Sequence, residues 1–210
     1  MSTAINAIIG IRRPAFYSVV REKLFKGSIT VKQVAGIEAV LNEWERLRLA
    51  DLRWLAYMLA TAFHETAQTM QAIAEYGKGR DYDYGRQLKM GGGKGKRIPY
   101  TLPKQLYYGR GLVQLTWYEN YQLFSRLLGI DLLNNPDQAL QLDVAVKIMF
   151  EGMMKASSSF GDFTGRCLEQ YFNHDTEDWV NARKIINGLD CAAAIAGHAK
   201  TFYDALKRAV

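Results

Sequence analysis

Cysteine is scarce in this chain: two among 210 residues, Cys167 and Cys191, widely separated. A disulfide framework is therefore excluded, and both thiols are expected to be reduced and packed as small hydrophobes. Histidine is nearly as rare, with His64, His174 and His198 at spacings that make no metal site. The run "HETAQ" has Gln68 where the zinc-protease pattern needs its second histidine, so no metal or other cofactor is expected. Long apolar runs are missing too. None approaches the roughly 20 residues that span a bilayer, so no stable membrane insertion is expected. The opening "MSTAINAIIGIRRP" carries its charges after its short apolar run, which reads as a helix without a secretory signal. A cytoplasmic origin is the corresponding expectation.

What is present is a composition of 49% hydrophobic and 23% charged residues, enough to bury one core in one domain, with at most a small appendage. The net charge is +6, and its placement is uneven. Between Lys78 and Lys104 lie eight basic residues (Lys78, Arg80, Arg86, Lys89, Lys94, Lys96, Arg97, Lys104), opposed only by Asp81 and Asp83. The rest of the chain balances at nineteen against nineteen. Such a segment suits an acidic polymer or surface, and the plain alternative is a solvated loop. No nucleic-acid recognition motif accompanies it, so nucleic acid is not the expected partner.

The apolar pattern is helical almost throughout. Val31, Val34, Ile37, Val40, Leu41 and Trp44 recur at spacings of three and four, with Ser28 or Thr30 able to cap the start. Asp51 can cap a second helix whose buried stripe is Leu52, Leu55, Ala56, Leu59 and Phe63, wide enough for a central helix. The stretch "AFHETAQTMQAIAEYG" continues as helix in this reading. From Gly77 to Lys104 the period disappears into a glycine-rich basic loop with room for a short hairpin. Its triple glycine is no phosphate loop, because Met90 stands at the first glycine position and Arg97 follows Lys96. Helical pattern resumes after "YYGRGLVQLTWYENY". Asn135 before Pro136 marks a further start, and "GRCLEQYF", "DWVNARKIINGLD" and "AIAGHAKTFYDALKRA" complete the chain. The expectation is a mostly α, single lysozyme-like α-helical domain. Residues 1–48 form a helical N-terminal lead-in and residues 49–210 the catalytic part.

Cleaving a glycosidic bond needs one carboxylic acid to protonate the leaving oxygen and a second carboxylate to attack the sugar or activate water. Glu65 and Glu75 are candidates. Ten residues apart on one straight helix, they would lie about 15 Å apart along its axis. A working pair thus requires the helix to end soon after Glu65, which the spacing permits and does not demand. "YYGRGLVQLTWYENY" gathers Tyr107, Tyr108, Arg110, Gln114, Thr116, Trp117, Asn120 and Tyr121, the aromatic planes and amides a sugar cleft uses. An ordinary amphipathic helix start explains the same residues.

"HET" with a glutamate ten residues on, then "GRGLVQLT" followed by "ENY", then "IINGL", resembles glycoside hydrolase family 19, which holds chitinases and many phage or bacterial endolysins. Order and approximate distances match over residues 55–205. The resemblance implies Glu65 as general acid, Glu75 as the base that activates water, and Thr116 as the hydroxyl that helps hold that water. It implies Tyr108, Gln114, Asn120 and Asn187 as substrate contacts, inversion of configuration, and no metal. The glutamate spacing is one longer than in short-loop members, which keeps Asp81 and Asp83 as substitutes for Glu75. "INGLD" departs from the usual "INGG" beside Asn187. For Glu65 to serve as acid near neutral pH, an apolar wall is expected beside it, from Phe63 and Met70. Glu75 is expected to stay ionised, aided by the basic loop. The resulting expectation is a monomeric endolysin that cuts β-1,4 bonds of peptidoglycan after release to the cell wall. Chitin or another N-acetylated glycan is the alternative substrate, and a non-catalytic glycan-binding protein the alternative class.

Overall fold

The computed structural model describes residues 10–92, 95–154 and 163–210. Residues 1–9 of the opening stretch, and Lys94 of the basic segment, lie outside the described residues. Six α-helices and two small two-stranded sheets make up the regular structure of the described residues, together with four short 3-10 turns.

The first helix, α1 (Arg13–Leu24), begins where Pro14 sets the first helical turn, and it buries Phe16 and Val20. Thr30 starts α2 (Val31–Arg46) with a capping box. The Gln33 amide donates to the Thr30 hydroxyl at 3.2 Å, and the Thr30 amide donates to the Gln33 side chain at 2.8 Å. Asp51 caps α3 (Leu52–Glu65) by accepting from the Arg53 amide at 2.9 Å. Every residue of α3 from Leu55 to Phe63 is buried, which makes it the axis of the molecule. Such burial on all sides is worth roughly 1.5–3 kcal/mol for each large side chain removed from water. Helix α6 (Ala192–Ala209) packs along α3 and also receives α1. Helix α4 (Tyr118–Leu128) packs on α5 (Leu142–Met154), which lies against α2 and α3. One core cluster runs from Ile11 to Ala209 and includes the buried faces of all six helices.

Four expectations need correction. The stretch after His64 does not stay helical. Helix α3 stops at Glu65, and the chain turns through positive φ at Ala67 (47°), Gln68 (68°) and Met70 (55°). It then enters β1 (Ile73–Ala74), antiparallel to β4 (Arg110–Gly111). The helix expected at Pro136 divides into a 3-10 turn, Pro136–Leu140, followed by α5. "GRCLEQYF" and "DWVNARKIINGLD" carry only 3-10 turns, Leu168–Gln170 and Asn181–Ile185. The cysteines are both free, but only Cys167 is buried; Cys191 is exposed. The basic segment does form a hairpin, β2 (Leu88–Met90) with β3 (Arg97–Pro99).

The turn after α3 is clamped from α2. Gly36 sits in mid-helix where a Cβ would lie 1.7 Å from the Met70 carbonyl oxygen. Two side-chain amides complete the clamp. Gln33 donates to the Gln68 carbonyl at 3.0 Å, and Gln71 donates to the Lys32 carbonyl at 2.6 Å. Inside the turn, the Thr66 hydroxyl donates to Ala62 O and accepts from the Met70 amide. These contacts reverse the chain and bring β1, with Glu75 just beyond it, back past the end of α3.

Candidate active site

The reversal places Glu65 and Glu75 on one cleft of about 450 Å³. Thr116, Gln114, Asn120 and Asn187 line the same cleft. Tyr108 does not: it is buried, and it lines a separate hollow on the other side of its own strand segment. Asp81 and Asp83 are exposed and lie outside the cleft lining, with Asp83 paired to Arg86 at 3.2 Å.

Glu65 closes α3, and its Oε1 accepts from Nη1 of Arg183 at 2.5 Å. Arg183 is buried in the 3-10 turn Asn181–Ile185 and is steadied by its Nε–H on the Asp190 carbonyl at 3.1 Å. The apolar wall expected from Phe63 and Met70 is not beside the carboxylate. Phe63 lies in the core against Phe25, His198 and Phe202, and Met70 is wholly buried against α2. A guanidinium is what touches Glu65. With Oε1 so engaged, Oε2 is the oxygen left to face a substrate.

Glu75 is held by two donors, neither of them a basic side chain. The Tyr84 hydroxyl donates to Oε1 at 2.7 Å, and the Gly109 amide donates to Oε2 at 3.1 Å. The backbone joins in, as the Glu75 amide donates to the Gly109 carbonyl at 2.7 Å. Burial, reinforced by the bond to Glu75, pushes the Tyr84 hydroxyl well above its usual pKa, so it stays a donor. Tyr84 is placed by a tight loop. Gly85 meets the Gly79 carbonyl so closely that a Cβ there would lie 1.8 Å from its oxygen.

The far wall is aromatic. Tyr84 meets Trp117 edge-on at 5.6 Å, and Tyr82 stacks on Tyr84 at 5.0 Å. Trp117 has a φ of 73°, an unusual value for a bulky residue, and its amide donates to Tyr107 O at 2.9 Å. The Arg97 guanidinium covers the Trp117 ring at 3.5 Å and pairs with Glu119. Gln114 ties the floor together, donating to the carbonyls of Ile73 and Gly111, each at 3.2 Å. Asn187 is exposed, and its Oδ1 accepts from the Gly188 amide at 2.8 Å.

Sequence reasoning missed Tyr84 and Arg183 as partners of the two carboxylates. Tyr84 had a signal, since it lies in "DYDYG", residues 81–85, between Glu75 and the rest of the basic loop and among the aspartates weighed as its substitutes. Arg183 had none, because nothing in the sequence links it to a glutamate 118 residues away.

The architecture and the motif both have counterparts. The sequence profile described as chitinase class I matches residues 48–163. A relative named endochitinase 2, from Gossypium hirsutum, is 38% identical over 88 residues, which is 40% of this chain and 29% of that protein. A relative named inactive chitinase-like protein 1, from Hevea brasiliensis, is 57% identical over 35 residues, 17% of this chain and 11% of that protein. The matched part thus spans well under half of these relatives' lengths. The crystal structure of a family GH19, class IV chitinase from Zea mays superposes with a TM-score of 0.54 at 16% identity. It covers 92% of this chain and 91% of that one. The mostly α, lysozyme-like fold expected from the sequence is the fold observed.

Proposed function

The chain belongs to the chitinase class I family, glycoside hydrolase family 19, and from that premise we propose that it is an inverting glycosidase. Its substrate in this reading is the β-1,4-linked, N-acetylated glycan strand of peptidoglycan, and its biological task is endolysin-type degradation of the bacterial cell wall. The observation that carries the catalytic reading is the convergence of Glu65, Glu75 and Thr116 on one cleft, from a helix end, a strand end and a loop.

In the mechanism, Glu65 gives a proton to the leaving glycosidic oxygen through Oε2, while Arg183 fixes the carboxyl by Oε1. Glu75, oriented by Tyr84 and Gly109, draws a proton from water on the opposite face of the sugar. Thr116 supplies a hydroxyl that accepts from or donates to that water. The Tyr84–Trp117 wall gives the sugar rings a flat apolar surface. No step uses a metal ion.

The charge of the basic segment favours an anionic glycan. Lys78, Arg80, Lys96 and Lys104 are all exposed and belong to the basic segment. Peptidoglycan carries carboxylates on its peptides, whereas chitin is neutral. Chitin remains the second reading, supported by the names of the matched relatives.

Digestion of purified peptidoglycan and of chitin oligomers in parallel, read by mass spectrometry, tests the substrate. Proton NMR of the anomeric signals in the first turnovers tests the mechanism: the α-anomer from a β-linked substrate is expected. A β-anomer as first product removes the roles of Glu75 and Thr116, and no cleavage of either polymer leaves a glycan-binding protein.

A further inference from the structure

Residues Tyr108, Gly109 and Arg110 alternate in direction. Gly109 lines the cleft, whereas Tyr108 and Arg110 line a second hollow, of about 770 Å³, between residues 104–110 and 134–141. Its walls are rich in carboxamides: Gln105, Asn134, Asn135, Gln138 and Gln141 all border it. Two cations and one carboxylate belong to the same hollow, namely Lys104, Arg110 and Asp137.

Arg110 is the unusual member. Its side chain is only 4% exposed, and its plane lies 3.6 Å over the Tyr108 ring. Nε pairs with Asp137 at 2.8 Å. Nη1 serves Leu106 O, Tyr108 O and the Tyr121 hydroxyl. Nη2 makes no hydrogen bond to another described residue. A guanidinium nitrogen without a described partner, on a residue that lines the hollow, is a charged donor open to a ligand. Lys104, at the rim, is exposed and has no ion-pair partner among the described residues. Asp137 neutralises one of the two cations, which leaves a net single positive charge. Carboxamides offer a donor and an acceptor each, the pattern that pairs with peptide amides.

We propose that this hollow is a second, non-catalytic binding site for a short peptide ending in a free carboxylate, with the carboxylate between Lys104 and Nη2 of Arg110. The peptide amides lie along Asn135, Gln138 and Gln141, whose carboxamides make no hydrogen bond to a described residue, whereas Gln105 already donates to the Asn134 carbonyl and Asn134 to Asp131. In peptidoglycan the ligand is the peptide stem, so this inference rests on the wall-glycan reading of the cleft. A chitin strand has nothing to place there. Only the strand segment 107–111 separates the two sites, so a wall strand in the cleft and a stem from a neighbouring strand in the hollow are held within one enzyme.

The test uses peptide stems released from purified peptidoglycan by an amidase, and the same stems amidated at their C termini. Both are titrated into the whole protein by calorimetry, with tri-N-acetylchitotriose as the neutral glycan probe. The acid form is expected to bind. Amidation and Lys104→Ala are each expected to weaken it by roughly tenfold or more, the usual worth of a hydrogen bond to a charged group. Gln138→Ala is expected to weaken the acid form to a lesser degree. Lys104→Ala should leave binding of the glycan probe unchanged. The proposal is overturned if no stem binds, if acid and amide bind alike, or if both variants bind like the parent. Cleavage of the glycan is scored separately. Stem binding without glycan cleavage removes the glycosidase reading and keeps the hollow; cleavage without stem binding does the reverse.

Discussion

The Tyr84 hydroxyl stands 2.7 Å from Oε1 of Glu75, and the tight contact of Gly79 with Gly85 leaves it little freedom to be elsewhere. Removing that oxygen tests whether the tyrosine orients the base. Tyr84→Phe keeps the ring against Trp117 and Tyr82. It should lower kcat by roughly tenfold to a hundredfold, the worth of one hydrogen bond to a charged group. KM and thermal stability should change little. A rise in KM with kcat unchanged would assign Tyr84 to sugar binding alone.

The two glutamates should each be indispensable. Glu65→Gln and Glu75→Gln are expected to cost about 10²–10⁴-fold in kcat, the usual share of a general acid or base. Asp81→Asn and Asp83→Asn, outside the cleft, should stay within twofold of the parent by roughly the same assay that reads the larger loss. An aspartate variant as damaging as Glu75→Gln would move the base along the loop.

Gly36 should be intolerant of any side chain. Gly36→Ala forces the Met70 carbonyl away and should destabilise the protein by about 1–3 kcal/mol in chemical denaturation. It should also lower kcat at temperatures where the variant is fully folded, because the displaced turn carries the approach to Glu75. Gly197 on α6 is the control. A Cβ there meets nothing within 4 Å, so Gly197→Ala should be neutral or stabilising by up to about 1 kcal/mol.

Basic residues of the loop divide into two kinds. Lys78, Arg80 and Lys96 are exposed; neutralising them together should weaken binding to whole walls and flatten its salt dependence. Turnover of a short neutral oligosaccharide should not change. Arg97 covers Trp117 and pairs with Glu119, so Arg97→Ala should impair the neutral substrate as well. Equal losses on both substrates for the lysine–arginine triple variant would show that the basic segment itself builds the cleft.

His198 gives a pH signature. Burial, with a smaller contribution from His64, holds its imidazole below the usual pKa, and its Nδ1 is buried without a described partner. Below about pH 6.5 the unfolded chain takes up a proton there while the folded protein does not. The contribution to stability is therefore full above that value, and it is lost as the pH falls toward the lowered pKa of the folded state. His198→Phe should flatten the dependence of Tm on pH between neutrality and mild acid. An unchanged slope would place the acid sensitivity elsewhere.

Much of the scaffold was legible from residue order. Thr30 and Asp51 announce α2 and α3 because each cap needs a short polar side chain just before an apolar period. The short segments after residue 163 were misread, since three or four apolar residues at helical spacing fit a 3-10 turn as well as an α-helix. The break after Glu65 gave no glycine signal. Its three left-handed residues are Ala67, Gln68 and Met70, which adopt that geometry because α2 holds the turn. Cleft residues were found through a motif contiguous in sequence. Tyr108 belongs to that motif yet faces the opposite hollow, as alternate residues of an extended segment must.

The clamp on Glu65 has a consequence for the order in which the protein comes into being. Arg183 follows its carboxylate by 118 residues, so a nascent chain carries Glu65 through all of that further synthesis with its partner not yet made. The wall formed by Tyr84 and Trp117 is translated well before it. That ion pair thus closes only after residue 183 has been made, and a ribosome-bound fragment ending before it holds both glutamates without the guanidinium that fixes the first.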